Sequence, residues 1–289
     1  MKKTAATICI LISSAIFLAS CSRGNVTGES APVIVEDPTF ETTVETEPTG
    51  TEIDYSTWPL ENADDARAII TDYAERHGLT IFDYPSEFVN LLARNPDSMD
   101  FVLNYPWHEP VAQENIDVSG EVNRFEVPRF YQWDERWGYM QYGNGPMGLT
   151  GCGPTCLSMV AVYLLQNPDM NPAWMAEYAE NNDYYAYDSE SGGSLWTLMT
   201  DGGFSLGIDV TQIPVVQQRM ELNLDVGNVI IAVVGPGDFT DGGHFIVITG
   251  YDEEGFTIND PNSIERSDMH WPFDVLGPQI QACWVFRIL

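Results

Sequence analysis

Lysine is nearly absent from this chain. Its two copies, Lys2 and Lys3, open the sequence, and ten arginines stand against 43 Asp and Glu, for a formal charge of −31 over 289 residues. A nucleic-acid binder draws affinity from clustered Lys and Arg that release counterions, so no nucleic-acid partner is expected of a surface that repels phosphate. Long apolar runs are also scarce. Beyond the extreme N-terminus no stretch of about 20 apolar residues occurs, which excludes a bundle of membrane-spanning helices. A Gly-x4-Gly-Lys-Ser/Thr loop is missing too, and with it the usual cradle for ATP phosphates. What remains is ample for a folded core: 44% of the residues are hydrophobic, and the length suits one to two domains.

The N-terminus has the organisation of an export signal. Lys2 and Lys3 supply the charge, Ile8 to Phe17 the apolar stretch, and Leu18-Ala19-Ser20-Cys21 the junction. That junction resembles the lipobox of bacterial lipoproteins, which implies a signal over residues 1–21 and a diacylglycerol on Cys21. Acyl chains bury enough CH2 groups for stable attachment. The expected location is therefore the bacterial cell surface, anchored on the extracytoplasmic side of the membrane through the N-terminal lipid only. Residues 22–57 are rich in Thr, Glu, Pro and Gly, with Arg23 as their lone base. Such a segment cannot bury enough apolar surface to offset its ordering entropy, and reads as a disordered acidic tether.

Residues 58–118 carry helical patterning. Asn62 is a cap for a helix with Ala66, Ile69, Ile70, Tyr73 and Ala74 on one face, ending at Gly78. A second helix starts at Pro85-Ser86-Glu87, buries Phe88, Leu91 and Leu92 and breaks at Asn95-Pro96, and a short third element spans Met99 to Asn104. So few core positions would be marginal alone, so the region is expected to dock on the following domain. An inhibitory pro-segment or a substrate-selecting cap is the sharper alternative.

The chemistry belongs to residues 125–289. In Gly151-Cys152-Gly153-Pro154-Thr155-Cys156, Cys152 falls at the start of a helix whose face is Leu157, Val160, Ala161 and Leu164. Free N–H groups and the helix dipole there favour a thiolate and can hold an oxyanion. His244, after Gly242-Gly243, opens an apolar strand-type run, and Gly255 to Asp260 follows the turn Asp252-Glu253-Glu254-Gly255, making a hairpin. A thiol nucleophile needs a base, and the base a third group to fix its tautomer; Cys152, His244 and Asp260 supply all three. Regular pairing from Tyr251 opposite Phe256 would set Asp260 opposite Val247, on the face His244 does not share. A bulge or altered register must intervene, and the break at Asn259-Asp260-Pro261 is one place for it; Asn259 is the substitute third member.

Together, Gln132-Trp133-Asp134-Glu135-Arg136-Trp137-Gly138, Gly151-Cys152-Gly153-Pro154-Thr155, Gly243-His244-Phe245 and Asn259-Asp260-Pro261 resemble cysteine peptidase family thirty-nine, specifically its stand-alone relatives. Better-known members cut double-glycine leaders while fused to an export ATPase, a part with no counterpart here. The resemblance implies an α+β papain-like fold: a helical lobe carrying Cys152 packed on an antiparallel sheet carrying His244 and Asp260, preceded by the small helical region. It implies Cys152 as nucleophile, His244 as base then acid, Asp260 as orienter and Gln132 as the second oxyanion donor.

Cys156, one turn further along the helix, is the rival nucleophile. Cys152-x3-Cys156 has no second Cys or His pair at ligand spacing, so neither metal nor cofactor is expected. Disulfides Cys152–Cys156 or Cys156–Cys283 are open to an exported protein. His77, His108 and His270 read as structural. Trp174, Tyr185 and Trp196, on or near Gly-containing loops, are candidates to line a peptide cleft. A short helix over Leu195 to Thr200 capped by Ser194, and a buried central strand over Val229 to Val234, complete the expectations. The functional expectation is a monomeric thiol peptidase cleaving a peptide or isopeptide bond of a peptide or protein substrate outside the cell. The alternatives are a peptidoglycan endopeptidase, an acyl transferase, or a surface-binding protein with an idle site.

Overall fold

The computed structural model describes residues 53–187 and 192–288. Cys21, the signal and the tether as far as residue 52 lie outside the described residues. Residues 53–57, which composition assigns to the end of the tether, belong to the fold: Tyr55 is buried and donates a hydrogen bond to Asp72 (2.7 Å). An aromatic ring with a carboxylate partner one helix away is enough to order this short stretch.

The helical region comprises α1 (Ala63–Arg76), α2 (Glu87–Arg94) and α3 (Met99–Asn104). Asn62 caps α1 by accepting the Asp64 and Asp65 N–H groups, and Gly78, at φ +74°, ends it. Ile69, Ile70, Phe88, Leu92 and Phe101 form a core that closes on Trp133, Tyr139 and Leu149 of the following chain. Phe101 stacks on Tyr139 with ring centroids 4.8 Å apart and meets Gly138 and Gly148, where any added Cβ would collide with its ring. The region is docked, and Ile53 onward forms one compact unit.

A short ribbon of β1 (Gln141–Tyr142) and β2 (Gly145–Pro146) leads through α4 (Met147–Thr150) into α5 (Cys152–Leu165), which is followed by α6 (Pro172–Asn181). Residues Gly153 to Val162 of α5 are all buried. A helix buried on every side is a central helix. A π-turn over Leu198–Gly202 runs into α7 (Gly203–Ser205). This corrects the expected helix over Leu195 to Thr200: Ser194 caps nothing, because its backbone bridges Tyr185 and its hydroxyl pairs with Tyr142 Oη (2.7 Å).

The remaining elements are β3 (Asp209–Ile213), α8 (Gln217–Leu224), β4 (Val229–Val234), β5 (His244–Tyr251), β6 (Phe256–Asn259), α9 (Ile264–Asp268), β7 (His270–Trp271), α10 (Phe273–Leu276) and β8 (Ile280–Arg287). The strands form one six-stranded sheet in the order β3-β8-β4-β5-β6-β7, every neighbouring pair antiparallel. Val229, Ile231, Val233, Phe245, Val247 and Trp284 pack toward the α5 core; Ile230, Ala232, Ile246, Ile248, Cys283 and Val285 pack on the other side with Met220, Phe239 and Leu276. Both faces are covered. That is why Val229 to Val234 reads as an unbroken apolar run and lies inside the sheet. The architecture is α+β, a helical lobe on an antiparallel sheet. Among the described residues no helix is long and apolar enough to cross a membrane.

Candidate active site

Cys152 is the first residue of α5, after Gly151. At that position a backbone N–H has no partner within the helix. The flanking glycines are required by close approach: a Cβ on Gly151 would lie 2.4 Å from Met147 Cγ, and one on Gly153 would lie 2.3 Å from Ser194 Oγ. Cys152 is a partly exposed residue, whereas Cys156 and Cys283 are buried.

His244 opens β5, opposite Val234 of β4, and is buried with its ring between two partners. Its Nε2 lies 2.7 Å from Asp260 Oδ1, and Cys152 is the second group that acts electrostatically on the ring. With Nε2 taken by Asp260, Nδ1 is the ring nitrogen left for another partner. The parity difficulty is resolved by a bulge, placed elsewhere than at Asn259-Asp260-Pro261. Register between β5 and β6 slips between Ile248 and Gly250, so Asn259 pairs with Val247 and Ile258 with Ile248, while Tyr251 still pairs with Phe256. Thr249 is the extra residue, and Asp260, one step beyond Asn259, gains the parity of His244. Asn259 is therefore no third member; its Nδ2 donates to the Val127 and Pro128 carbonyls.

The electrostatics follow from these contacts. For Cys152, burial favours the neutral thiol, but the hydrogen bond and charge of His244, with the N–H groups of Phe245 and Gly153, outweigh it and lower the pKa. Burial likewise opposes a charge on His244, and Asp260 with Cys152 overrides it, pushing the imidazole up to about 9. Asp260 is held below the usual carboxylate range: burial opposes ionisation, and His244 and then Arg266 outweigh it. Cys156 is pushed well up by burial, then by Cys152 and Asp260, and stays a thiol. It offers no rival nucleophile. The three described cysteines are free, and Cys156 and Cys283 lie in cores on opposite sides of the sheet.

Gln132 is buried and ties two parts of the site together. Its backbone N–H donates to the Pro261 carbonyl (2.7 Å), next to Asp260, and its Nε2 donates to the Gly148 carbonyl (2.8 Å), four residues before Cys152. A second hydrogen on Nε2 is left for another acceptor. Of the aromatic candidates, Tyr185 is not a cleft residue: it is buried beneath Gly143 and its Oη accepts the Asn144 N–H. Trp174 stacks flat on Tyr178 (5.5 Å) at the surface. Trp196, 46% exposed, stands edge-on to Trp284, two residues from the Ser194 that abuts Gly153. His108 stacks on Tyr139 and His270 pairs with Asp252.

Two neighbours of the triad were not foreseen from the sequence. Arg266 Nε lies 2.5 Å from Asp260 Oδ2, and Ser267 Oγ accepts the Asp260 N–H (2.9 Å). Ser263, the cap of α9, was the available sign that a short helix turns back on Asp260.

Among solved structures, the chain is similar to the peptidase domain of Streptococcus ComA, a bi-functional ABC transporter involved in a quorum-sensing pathway, at 16% identity and a TM-score of 0.37 over 48% of this chain and 92% of that one. It is also similar to a C39-like peptidase from Bacillus anthracis, at 14% identity and a TM-score of 0.39 over 60% of this chain and 98% of that one. No curated protein matches the sequence. The match of residues 124–285 spans more than half of the chain and takes in Gln132, Cys152, His244 and Asp260, and with its papain-like α+β fold the chain belongs to the Peptidase_C39 like family.

Proposed function

We propose that this chain is a lipid-anchored cysteine peptidase of the bacterial cell surface, hydrolysing peptide or isopeptide bonds through an acyl-enzyme on Cys152. Family membership supports the cysteine-peptidase type of function. The observation that carries the finer reading is a partly exposed Cys152 at the start of a buried helix, its thiol acted on by a buried His244 that is in turn bonded to Asp260.

The Cys152 thiolate attacks the scissile carbonyl, forming a C–S bond and moving the carbonyl electron pair onto oxygen. The helix-start N–H of Cys152 and the second Nε2 hydrogen of Gln132 donate to that oxyanion. Protonated His244 gives its proton to the leaving amine as the C–N bond breaks, leaving a thioester. His244 then takes a proton from water, whose hydroxide expels the thiolate and releases the acid. Asp260 holds one ring tautomer throughout.

The lipid anchor rests on Lys2, Lys3, the apolar Ile8 to Phe17 and the Leu18-Ala19-Ser20-Cys21 junction. The test of the peptidase is labelling with iodoacetamide and an epoxide thiol probe, followed by a screen for new protein termini against Cys152→Ala. Selective labelling of Cys152 and termini lost in Cys152→Ala and His244→Ala are expected. An unreactive Cys152, or termini that persist in Cys152→Ala, overturns the proposal.

A further inference from the structure

We propose that Arg266 is a positioning residue for the His244–Asp260 pair, and that Asn95 at the end of α2 seats Arg266, which makes the N-terminal helical region a permanent part of the catalytic apparatus. The proposal rests on the peptidase reading of Cys152 and His244.

Asp260 is 1% exposed, and both of its oxygens are used. Oδ1 accepts from His244 Nε2 (2.7 Å) and from the Asn262 N–H (2.8 Å); Oδ2 accepts from Arg266 Nε (2.5 Å). Its own N–H is bound by Ser267, so the carboxylate can neither rotate nor shift without breaking a bond. A buried carboxylate facing an intermittently charged imidazole needs a countercharge when that imidazole is neutral. Arg266 provides it. A guanidinium suits the task better than an ammonium because its planar fork fixes direction as well as charge.

The other arm of that fork reaches into the helical region. Arg266 Nη2 donates to Asn95 Oδ1 (3.2 Å), and Asn95 is itself 1% exposed, its Nδ2 directed at the Leu91 carbonyl (3.4 Å). The residue before it, Arg94, pairs with Asp241, three residues ahead of His244 on the Gly242-Gly243 approach to β5. That second pair is exposed and contributes little energy; it links the end of α2 to the loop before β5. Consecutive residues at the end of α2, its last residue Arg94 and its cap Asn95, thus touch the segments that carry the base and its orienter. A detachable inhibitory segment would cover a site that is complete without it. Here removal of α2 would strip Arg266 of a buried partner.

The charged groups acting on His244 are Cys152 from α5 and Asp260 from the end of β6, and those acting on Asp260 are His244 and Arg266. β4 brings no ionisable residue, and Glu221 of α8 faces Tyr251 at the far end of β5. A cation on the far side of Asp260 opposes protonation of His244, so its removal should raise the imidazole titration further.

The test follows the His244 ring signal by NMR in the ring-labelled full-length chain, assigned by loss in His244→Ala, with iodoacetamide as the probe of Cys152. Arg266→Gln should move the His244 midpoint upward by about one pH unit or more and slow alkylation at fixed thiolate content. Arg266→Lys should return the midpoint toward wild type, and Asn95→Ala should shift it in the same sense as Arg266→Gln by a smaller amount. A purely structural Arg266 would lower the melting temperature with the midpoint unmoved, and that result overturns the proposal. An unmoved midpoint in Asn95→Ala overturns the part given to α2. Should Arg266→Gln fail to fold, Asn95→Ala decides: a midpoint moved upward supports the proposal, and an unmoved one overturns it. Failure of iodoacetamide to label wild-type Cys152 selectively refutes the peptidase reading itself; selective labelling with unmoved midpoints refutes only this inference.

Discussion

Replacing His244 with Ala separates the two sources of thiolate stabilisation at Cys152. In the intact site, burial pushes the thiol toward its neutral form while the His244 hydrogen bond and charge, with the Phe245 and Gly153 N–H groups, pull the other way. His244→Ala deletes the first two and leaves the N–H groups and the helix start against burial. Two unit charges about 4 Å apart at an effective dielectric near 20 interact by about 4 kcal/mol. At about 1.4 kcal/mol per tenfold change in an equilibrium, losing that interaction moves the thiol strongly back toward its neutral form. Alkylation at pH 6 should then fall by about 10² to 10³, in proportion to the thiolate fraction. The assay is the pseudo-first-order rate of iodoacetamide addition to Cys152 from pH 4 to 10, read by mass spectrometry so that the buried Cys156 and Cys283 are counted apart. Wild type should react well into acid. Its hydrolytic activity should fall as pH rises through about 9, where the imidazolium loses the proton it must give to the leaving amine. An alkylation midpoint that stays put in His244→Ala would dismantle the ion-pair account.

Gln132→Ala should leave that alkylation midpoint in place and lower the acylation rate by about 10² to 10³, the usual cost of one oxyanion donor; equal rates would remove Gln132 from the site. Asp260→Asn should reduce turnover less than Cys152→Ala does, yet leave Arg266 buried without its charge partner and cost about 3–5 kcal/mol by denaturant unfolding. Phe101→Ala should cost about 3–5 kcal/mol in the same measurement, because its ring fills the contact with Tyr139, Gly138 and Gly148; a loss under 1 kcal/mol would show a loosely docked helical region. Cys21→Ala should move the protein from the membrane fraction to the soluble one, and continued membrane attachment would refute lipidation at that residue.

What could be read from the sequence was whatever a short contiguous run encodes. Asn62, the Ala66 to Ala74 face and Gly78 delimit α1 because a helix and its caps are local objects. Cys152 and His244 stood out for the same reason, each set among glycines at the start of an element. The bulge was half visible: Gly250 interrupts the β5 apolar run, and a Cβ there would press on Thr257 Oγ1 at 3.1 Å, yet the neighbouring Asn259-Asp260-Pro261 break offered a competing site. Tyr185 misled because an aromatic ring beside glycines looks the same whether it faces a ligand or a notch. The notch is Gly143, whose φ of +62° and missing side chain leave room that the Tyr185 ring fills.

The role of the helical region lay beyond local reading for a reason of distance along the chain. Its helices are encoded by spacings of three and four residues, but its purpose rests on Arg94 meeting Asp241 and Asn95 meeting Arg266, contacts spanning 147 and 171 residues. Neither pair has a signature of its own, since an Arg at the end of a helix and an Asn before a proline are ordinary stop signals. Only packing decides between a residue that ends a helix and one that also seats a guanidinium. The two roles coexist here because helix ends leave backbone and side-chain groups unspent, and Asn95, capped by the Pro96 break, is free to turn its amide oxygen outward to α9. A stop signal placed against a buried ion pair thus acquires a second function without any change in its local sequence.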